Sequence, residues 1–146
     1  MPKFSYTAVD ARGKQANGFV EANDQSDAIT QIRQLGAKVM VIGPIPKPPV
    51  SVPVCLSAHL TDATACTFPL AQTVNAAGET AERAAVIAAG GSYVNTEPWF
   101  CAGPTCAVIT GNIEMWRDDN HITATFSAFL APALGAEIAL VLPPPT

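Results

Sequence analysis

Val39-Met-Val-Ile42 is a run of four apolar, mostly β-branched residues between Lys38 and Gly43. Such a run is typical of a strand that is buried on both faces in a parallel sheet. Directly upstream, Asp24 can cap a helix that Gly36 would end. One face of this predicted helix carries its apolar residues, Ala28, Ile29, Ile32 and Leu35. A helix followed by a buried strand predicts an α/β fold with a three-layer tendency and a mainly parallel sheet.

The first residues of the chain predict a β-hairpin. Phe4, Tyr6 and Ala8 alternate with polar residues, and the alternation resumes from Gly18 to Ala22. Between them, Asp10-Ala-Arg-Gly13 has the residue types of a turn. The chain is therefore expected to begin with strand, turn, strand and helix.

The middle of the chain predicts a loop, a long helix and a second short strand. Five prolines between Gly43 and Pro53 remove backbone donors, so we expect no helix there. Thr67 and Pro69 can start an alanine-rich helix that runs to Ala89. Ser92-Tyr-Val-Asn95 then reads as a strand.

The last third predicts a short strand and a final helix. Cys106 to Thr110 reads as extended, and Asn120 can cap a helix whose apolar stripe includes Phe126 and Leu130. Pro132 is expected to end or kink this helix. The segment from Ile138 to Leu142, before three prolines, is expected to be an edge strand or a frayed end.

Composition limits the function classes. With 146 residues, 49% hydrophobic and 14% charged, the chain can bury a core of its own. A net charge of -4 with scattered basic residues argues against a nucleic-acid partner. Pro132 and Glu137 interrupt the most apolar region, so no membrane span is expected, and no secretory signal is visible after Met1.

Four cysteines fall into two close pairs, Cys55 with Cys66 and Cys101 with Cys106. Three interpretations stay open. Two local disulfides are one, and buried reduced thiols are another. A zinc site that adds His59 is the third, although the short C-x-x-C spacing of structural zinc sites is missing. Apart from this alternative, we expect neither a metal nor a cofactor.

Asp118 and His121 are spaced so that a carboxylate can orient an imidazole and stabilise its charged form. The spacing alone is a weak signal. Acidic residues at a helix N-terminus, where they complement the helix dipole, would give the same pattern.

Several separated motifs strengthen the first interpretation. Cys55-Leu-Ser-Ala-His-Leu-Thr-Asp-Ala-Thr-Ala-Cys66, Trp99-Phe-Cys101, Cys106 and Arg117-Asp-Asp-Asn-His-Ile-Thr123 occur in this order. Together they resemble the extracytoplasmic SGNH hydrolase domain of bacterial integral-membrane acyltransferases that O-acylate surface glycans. The resemblance covers about residues 37 to 138. It implies that Asp118 and His121 are the acid and base of a Ser-His-Asp triad, with Asp119 as the other possible carboxylate, and that the substrate is an acyl ester or a glycan.

The nucleophile implied by this resemblance is missing. The related domains carry it in a Gly-Asp-Ser block upstream of the matched region, and this chain has no such block. A substitute would have to be Ser57, Ser92, Ser127 or a threonine close to His121. The resemblance thus implies an esterase or acyltransferase domain of weak or lost activity.

Residues 1–36 resemble something else, the N-terminal hairpin and helix of F-family platform proteins of type II secretion and type IV pilus systems. This divides the chain into a ββα unit, 1–36, and a partial SGNH-like domain, 37–146. We expect the hairpin to cover an exposed edge of the hydrolase sheet. The alternative function is a non-enzymatic interaction module that docks a partner protein through residues 1–36.

Overall fold

The computed structural model describes residues 1–10, 12 and 14–142. Its strands and α-helices, in chain order, are β1 (Lys3–Val9), β2 (Gln15–Glu21), α1 (Gln25–Gln34), β3 (Met40–Ile42), α2 (Val52–Ala58), β4 (Phe68–Pro69), α3 (Ala76–Ala88), β5 (Ser92–Val94), β6 (Cys101–Ala102), β7 (Thr105–Cys106), β8 (Ile109–Thr110), β9 (Ile113–Glu114) and α4 (Ala124–Val141). Residues 11 and 13 of the predicted turn, and the three prolines after Leu142, lie outside the described residues.

The described residues combine α-helices with several small sheets, which confirms the α/β class. The predicted strand at Val39–Ile42 is confirmed as β3, which pairs in parallel with β5 through Met40↔Ser92 and Ile42↔Val94. The expectation that this strand is buried on both faces is wrong, because Met40 and Val41 are half-buried and Ile42 is 49% exposed. Parallel pairing is nevertheless limited, because every other strand pair in the described part of the chain is antiparallel.

The chain divides into two compact units, each built from separate segments. The first contains Met1–Gly43, Ala77–Val94 and Glu137–Thr146, and the second contains Pro44–Ala76 and Asn95–Ala136. We call them the hairpin unit and the disulfide unit. The domain division predicted between residues 36 and 37 stays a prediction.

In the hairpin unit, α1 has the caps that its sequence predicts. The Asp27 backbone N–H donates to Asp24 Oδ1 at 2.9 Å, and Gly36 follows the helix with a φ of 87°. Ala28, Ile29 and Ile32 are buried. The prediction that Leu35 shares this face is wrong, because Leu35 caps the helix end and is 70% exposed.

The predicted hairpin is confirmed as β1 and β2, which are paired antiparallel from Lys3↔Glu21 to Val9↔Gln15. Asp10 Oδ1 accepts from the Arg12 and Lys14 backbone N–H groups and so stabilises the turn. The expectation that the hairpin covers the edge of the other sheet is wrong. In the described residues the hairpin is a separate two-stranded sheet, and β3 pairs with β5 alone.

The disulfide unit contains a core of aromatic side chains. Trp116 and Phe126 are completely buried, and the Phe100 ring lies 5.1 Å from Trp116 and 5.5 Å from Phe126 between ring centroids. Disulfides join Cys55 to Cys66 and Cys101 to Cys106. Both predicted pairs are therefore confirmed as disulfides, which excludes the zinc and free-thiol interpretations of these cysteines.

One helix, α2, was not predicted, and the start of another, α3, differs from its prediction. Helix α2 begins at Val52 and has Pro53 in its first turn, where the missing N–H costs no hydrogen bond. Helix α3 begins at Ala76 rather than at Thr67, because Phe68 and the next residue form β4 and pair with β7.

Helix α4 differs from the predictions in its cap and in where it ends, whereas the predicted kink at Pro132 stays a prediction. Thr123 caps it rather than Asn120, since Thr123 Oγ1 accepts from the Phe126 N–H at 3.1 Å. The helix continues through Pro132 and includes most of the expected edge strand. By length and composition alone, α4 could cross a membrane, with a mean hydropathy of 1.6 and 6% of it buried. That is weak evidence for a span, because such helices also occur in soluble proteins.

Candidate active site

The candidate site is a tight loop, residues 117–121, whose ends are held together by the core. Trp116 and Ile122 form an antiparallel bridge across the base of the loop, and the Arg117 N–H donates to the His121 carbonyl at 2.8 Å. The buried Trp116 indole donates to the Ala107 carbonyl at 3.2 Å. The loop is therefore attached to the largest fully buried side chain of the disulfide unit.

The Asp118 carboxylate fixes the shape of the loop. Its Oδ1 accepts from the backbone N–H of Asn120 at 2.7 Å and from that of His121 at 2.6 Å. Side-chain oxygens of Asp commonly stabilise turns in this way. Asp118 and His121 are thus held at a fixed spacing even though both side chains lie at the surface.

The two side chains that the sequence singles out are in direct contact. His121 Nδ1 lies 2.8 Å from Asp118 Oδ2, within hydrogen-bond distance. Because an ionised carboxylate only accepts, the hydrogen bond places a proton on Nδ1. In the described residues His121 Nε2 has no hydrogen-bond partner, and the side chain is 62% exposed. The nitrogen that can accept a proton from outside is therefore accessible.

The same contacts keep Asp118 ionised. Hydrogen bonds from the Asn120 backbone N–H, the His121 ring and the His121 backbone N–H lower the pKa of Asp118 from 3.8 to about 2. Arg117 Nε lies 3.9 Å from Asp118 Oδ2 and adds an exposed positive charge. At neutral pH the carboxylate can hold the Nδ1 proton and stabilise an imidazolium.

The neighbouring carboxylate has a different partner. Asp119 Oδ2 lies 3.7 Å from Lys47 Nζ, and both side chains are exposed. The sequence left open whether Asp118 or Asp119 contacts His121, and the geometry selects Asp118.

Asp119 also forms part of an open groove of about 410 Å³. Two of the lining residues are hydrogen-bonded to each other, since the Lys47 backbone N–H donates to the Thr73 carbonyl at 3.0 Å. The groove is lined mainly by polar side chains and two prolines, Lys47, Pro48, Pro49, Gln72, Thr73, Val74, Asn75 and Asp119. A polar ligand could thus be held beside the residue that follows Asp118.

No hydroxyl group is hydrogen-bonded to His121 within residues 1–10, 12 and 14–142. Ser57 Oγ donates instead to the Val54 carbonyl at 2.8 Å, and the Thr123 hydroxyl donates to the Glu114 carbonyl at 2.7 Å. A replacement for the missing serine nucleophile is therefore not evident among the described residues.

His59, the only other histidine, lies at the exposed end of α2, where its backbone N–H donates to the Leu56 carbonyl. In the described part of the chain no group of three or more His, Cys, Asp or Glu side chains could hold a metal ion.

Sequence reasoning missed the residues that support the site. Lys47 lies far from Asp119 in the chain, and no local pattern connects them. Thr123 could have been found, because threonine is a preferred helix N-cap and precedes the run that begins at Ala124. Trp116 could have been selected only as an apolar residue next to the Asp118 loop.

Comparison with known proteins adds the family. Comparisons with curated proteins and with solved structures give no match. The family model of the SGNH domain (fused to AT3 domains) matches residues 3–136. This match includes most of residues 1–36, and nothing supports the separate resemblance of that segment to secretion platform proteins. The polar loop with its Asp118–His121 pair thus lies within a match over most of the chain, and the chain belongs to the SGNH domain family.

Proposed function

We propose that this chain is an acyl-ester hydrolase or acyltransferase domain of low activity, in which His121 is the general base and Asp118 orients it. One observation carries the proposal: the 2.8 Å contact between His121 Nδ1 and Asp118 Oδ2, which leaves Nε2 directed away from the carboxylate. General acid–base catalysis requires a base with an accessible lone pair, and this arrangement supplies one.

The proposed reaction uses water in place of the missing serine. His121 Nε2 takes a proton from water as the oxygen attacks the acyl carbon of the ester. Collapse of the intermediate breaks the ester C–O bond, and the imidazolium returns the proton to the leaving alkoxide. Asp118 stabilises the imidazolium meanwhile. Because residues 1–146 contain no Gly-Asp-Ser block, the proposed reaction has no acyl-enzyme step, and each oxyanion donor that it lacks lowers the rate by about 100 to 1,000 fold.

The proposed substrate is an O-acyl group on a surface glycan. Support comes from the groove next to Asp119, whose lysine, glutamine, threonine and asparagine side chains suit a ligand rich in hydroxyl groups. Two disulfides favour an oxidising compartment, which agrees with an extracytoplasmic location. Attachment to a membrane-bound acyltransferase is part of the same proposal.

The test compares the two histidines of the chain. Hydrolysis of 4-nitrophenyl acetate by the wild-type protein is expected to be slow and to fall to the background rate in His121→Ala. His59→Ala is the matched control, because His59 is also exposed but its ring makes no hydrogen bond to a carboxylate in the described residues. Equal rates for wild type and His121→Ala would refute the general-base role and favour a non-enzymatic module.

A second readout tests the absence of a nucleophile. A fluorophosphonate probe labels activated serines, so the proposal predicts ester hydrolysis without labelling. Labelling of Ser57, Ser92 or Ser127 that disappears in His121→Ala would show that a substitute serine exists and that the water mechanism is incorrect.

A further inference from the structure

Within residues 1–10, 12 and 14–142, β2 is the one strand that pairs with β1, so the other edge of β1 has no strand partner there. The Asp10 N–H donates to the Lys14 carbonyl, and the Ala22 N–H donates to the Pro2 carbonyl. In an antiparallel pair, hydrogen-bonded residues alternate with residues that bond on the other side. The even-numbered residues of β1 therefore bond to β2. The backbone N–H and C=O groups of Ser5 and Thr7 point away from β2.

A second unpaired edge lies along β3. The Ser92 N–H donates to the Val39 carbonyl, and the Gly43 N–H donates to the Val94 carbonyl. In a parallel ladder with this register, the bonding groups on the β3 side belong to Val39, Val41 and Gly43. The backbone groups of Met40 point away from β5, and in the described residues no other strand pairs with β3.

Residues from both edges line one cleft. Its lining includes residues 4–8 of β1 and residues 37–41, which lead into β3. Its floor is the buried face of α1, with Ala28, Ile29 and Ile32. The cleft has a volume of about 310 Å³. It thus combines an apolar floor with unpaired backbone donors and acceptors on both sides.

We propose that this cleft binds an extended peptide segment of a partner protein, which inserts as a strand between β1 and β3. The backbone groups identify the occupant, since a row of free N–H and C=O groups at strand spacing is matched by another strand. Along β1, Ser5 and Thr7 would bond to one side of the peptide. Met40 would bond to the other side, and a single sheet would result.

The floor of the cleft sets the side-chain chemistry of the peptide. Successive residues of a strand point to opposite faces, so every second residue would face Ile29 and Ile32. Those positions favour small or branched apolar residues. The intervening residues would face the side of β1 that carries the exposed Ser5 and Thr7, and they favour polar residues. The preferred segment therefore alternates apolar and polar residues over about five positions.

The test is amide hydrogen exchange by NMR on the whole chain, with and without an acetylated seven-residue peptide of alternating threonine and valine that has a lysine at each end. With peptide at ten times the Kd from the same titration, exchange at Ser5, Thr7 and Met40 should slow about tenfold. Phe4, Tyr6 and Val41 are internal controls, because their amides already bond within the hairpin unit and should change little.

Peptides with N-methyl groups give a matched control. A peptide held between two strands uses amides on both of its sides, so methylation of either of two adjacent central residues should abolish the added protection. A peptide that pairs with a single edge uses only one of these two amides, so it would still bind when the other is methylated.

Two results would overturn the proposal. One is unchanged exchange at Ser5, Thr7 and Met40 at millimolar peptide. The other is protection of these amides that rises with protein concentration without peptide, because the occupant would then be a second copy of the chain.

Discussion

Different kinds of structure stabilise each of the two units of this chain. The hairpin unit has the longer strands, seven residues each in β1 and β2, but its buried side chains are mostly small or aliphatic. The disulfide unit has strands of only two residues, yet it contains both disulfides and the buried aromatic rings. The longer strands therefore lie in the hairpin unit and the aromatic core in the disulfide unit. The candidate site lies in the disulfide unit.

This difference explains how an exposed pair can be held in a fixed geometry. His121 and Asp118 lie at the surface, but Trp116 and Phe126 on either side of their loop are fully buried. An exposed ion pair is by itself worth little to stability. We infer that the aromatic core, rather than the pair, holds the loop.

The largest expected effect comes from the aromatic core. Phe126→Ala should lower the free energy of unfolding by about 3–5 kcal/mol, because it leaves a cavity against Phe100. Phe129→Ala is the matched control on the same helix, since Phe129 is 54% exposed. Phe129→Ala should lower the free energy of unfolding much less. Denaturant unfolding gives both values, and similar costs for the two variants would show that Phe126 is not a core residue.

The hairpin unit offers a comparable pair. Ile29→Ala removes a side chain that is 3% exposed and should cost about 2–4 kcal/mol. Leu35→Ala changes a largely exposed residue, so its effect should stay within about 0.5 kcal/mol. Thermal unfolding checks both, and a large loss in Leu35→Ala would restore the original prediction that Leu35 faces the core.

Removal of either disulfide should destabilise the disulfide unit, which contains both, more than the hairpin unit. By loop length, Cys55→Ser with Cys66→Ser should cost about 3 kcal/mol, and Cys101→Ser with Cys106→Ser about 2 kcal/mol. Under reducing conditions, hydrogen exchange should accelerate in the disulfide unit first. Equal acceleration in α1 and β1 would mean that the units do not differ in what stabilises them.

The smallest effect concerns pH. Hydrogen bonds lower the pKa of Asp118 to about 2, so the stabilisation from its ionised form is complete above its ordinary value of 3.8 and disappears as the pH falls through about 2. Carboxyl ¹³C NMR should show a midpoint near 2 for Asp118. A midpoint near 3.8, its ordinary value, would contradict the hydrogen bonds to Asn120 and His121.

Sequence reasoning succeeded where signals are local. The caps of α1, the β3 strand, both cysteine pairs and the Asp118–His121 contact all depend on residues close in the chain. It failed where contacts between residues far apart in the chain determine the local structure. Phe68 pairs with Cys106, which delays the start of α3, and Lys47 contacts Asp119. Neither contact leaves a pattern in a single stretch of sequence.

The most direct test of the central claim is the tautomer of the His121 ring, measured by ¹⁵N NMR at alkaline pH. The account predicts a proton on Nδ1 and a free lone pair on Nε2 in the wild type, with loss of this preference in Asp118→Asn. A proton on Nε2 in the wild type, unchanged in Asp118→Asn, would contradict the assignment of His121 as an oriented general base.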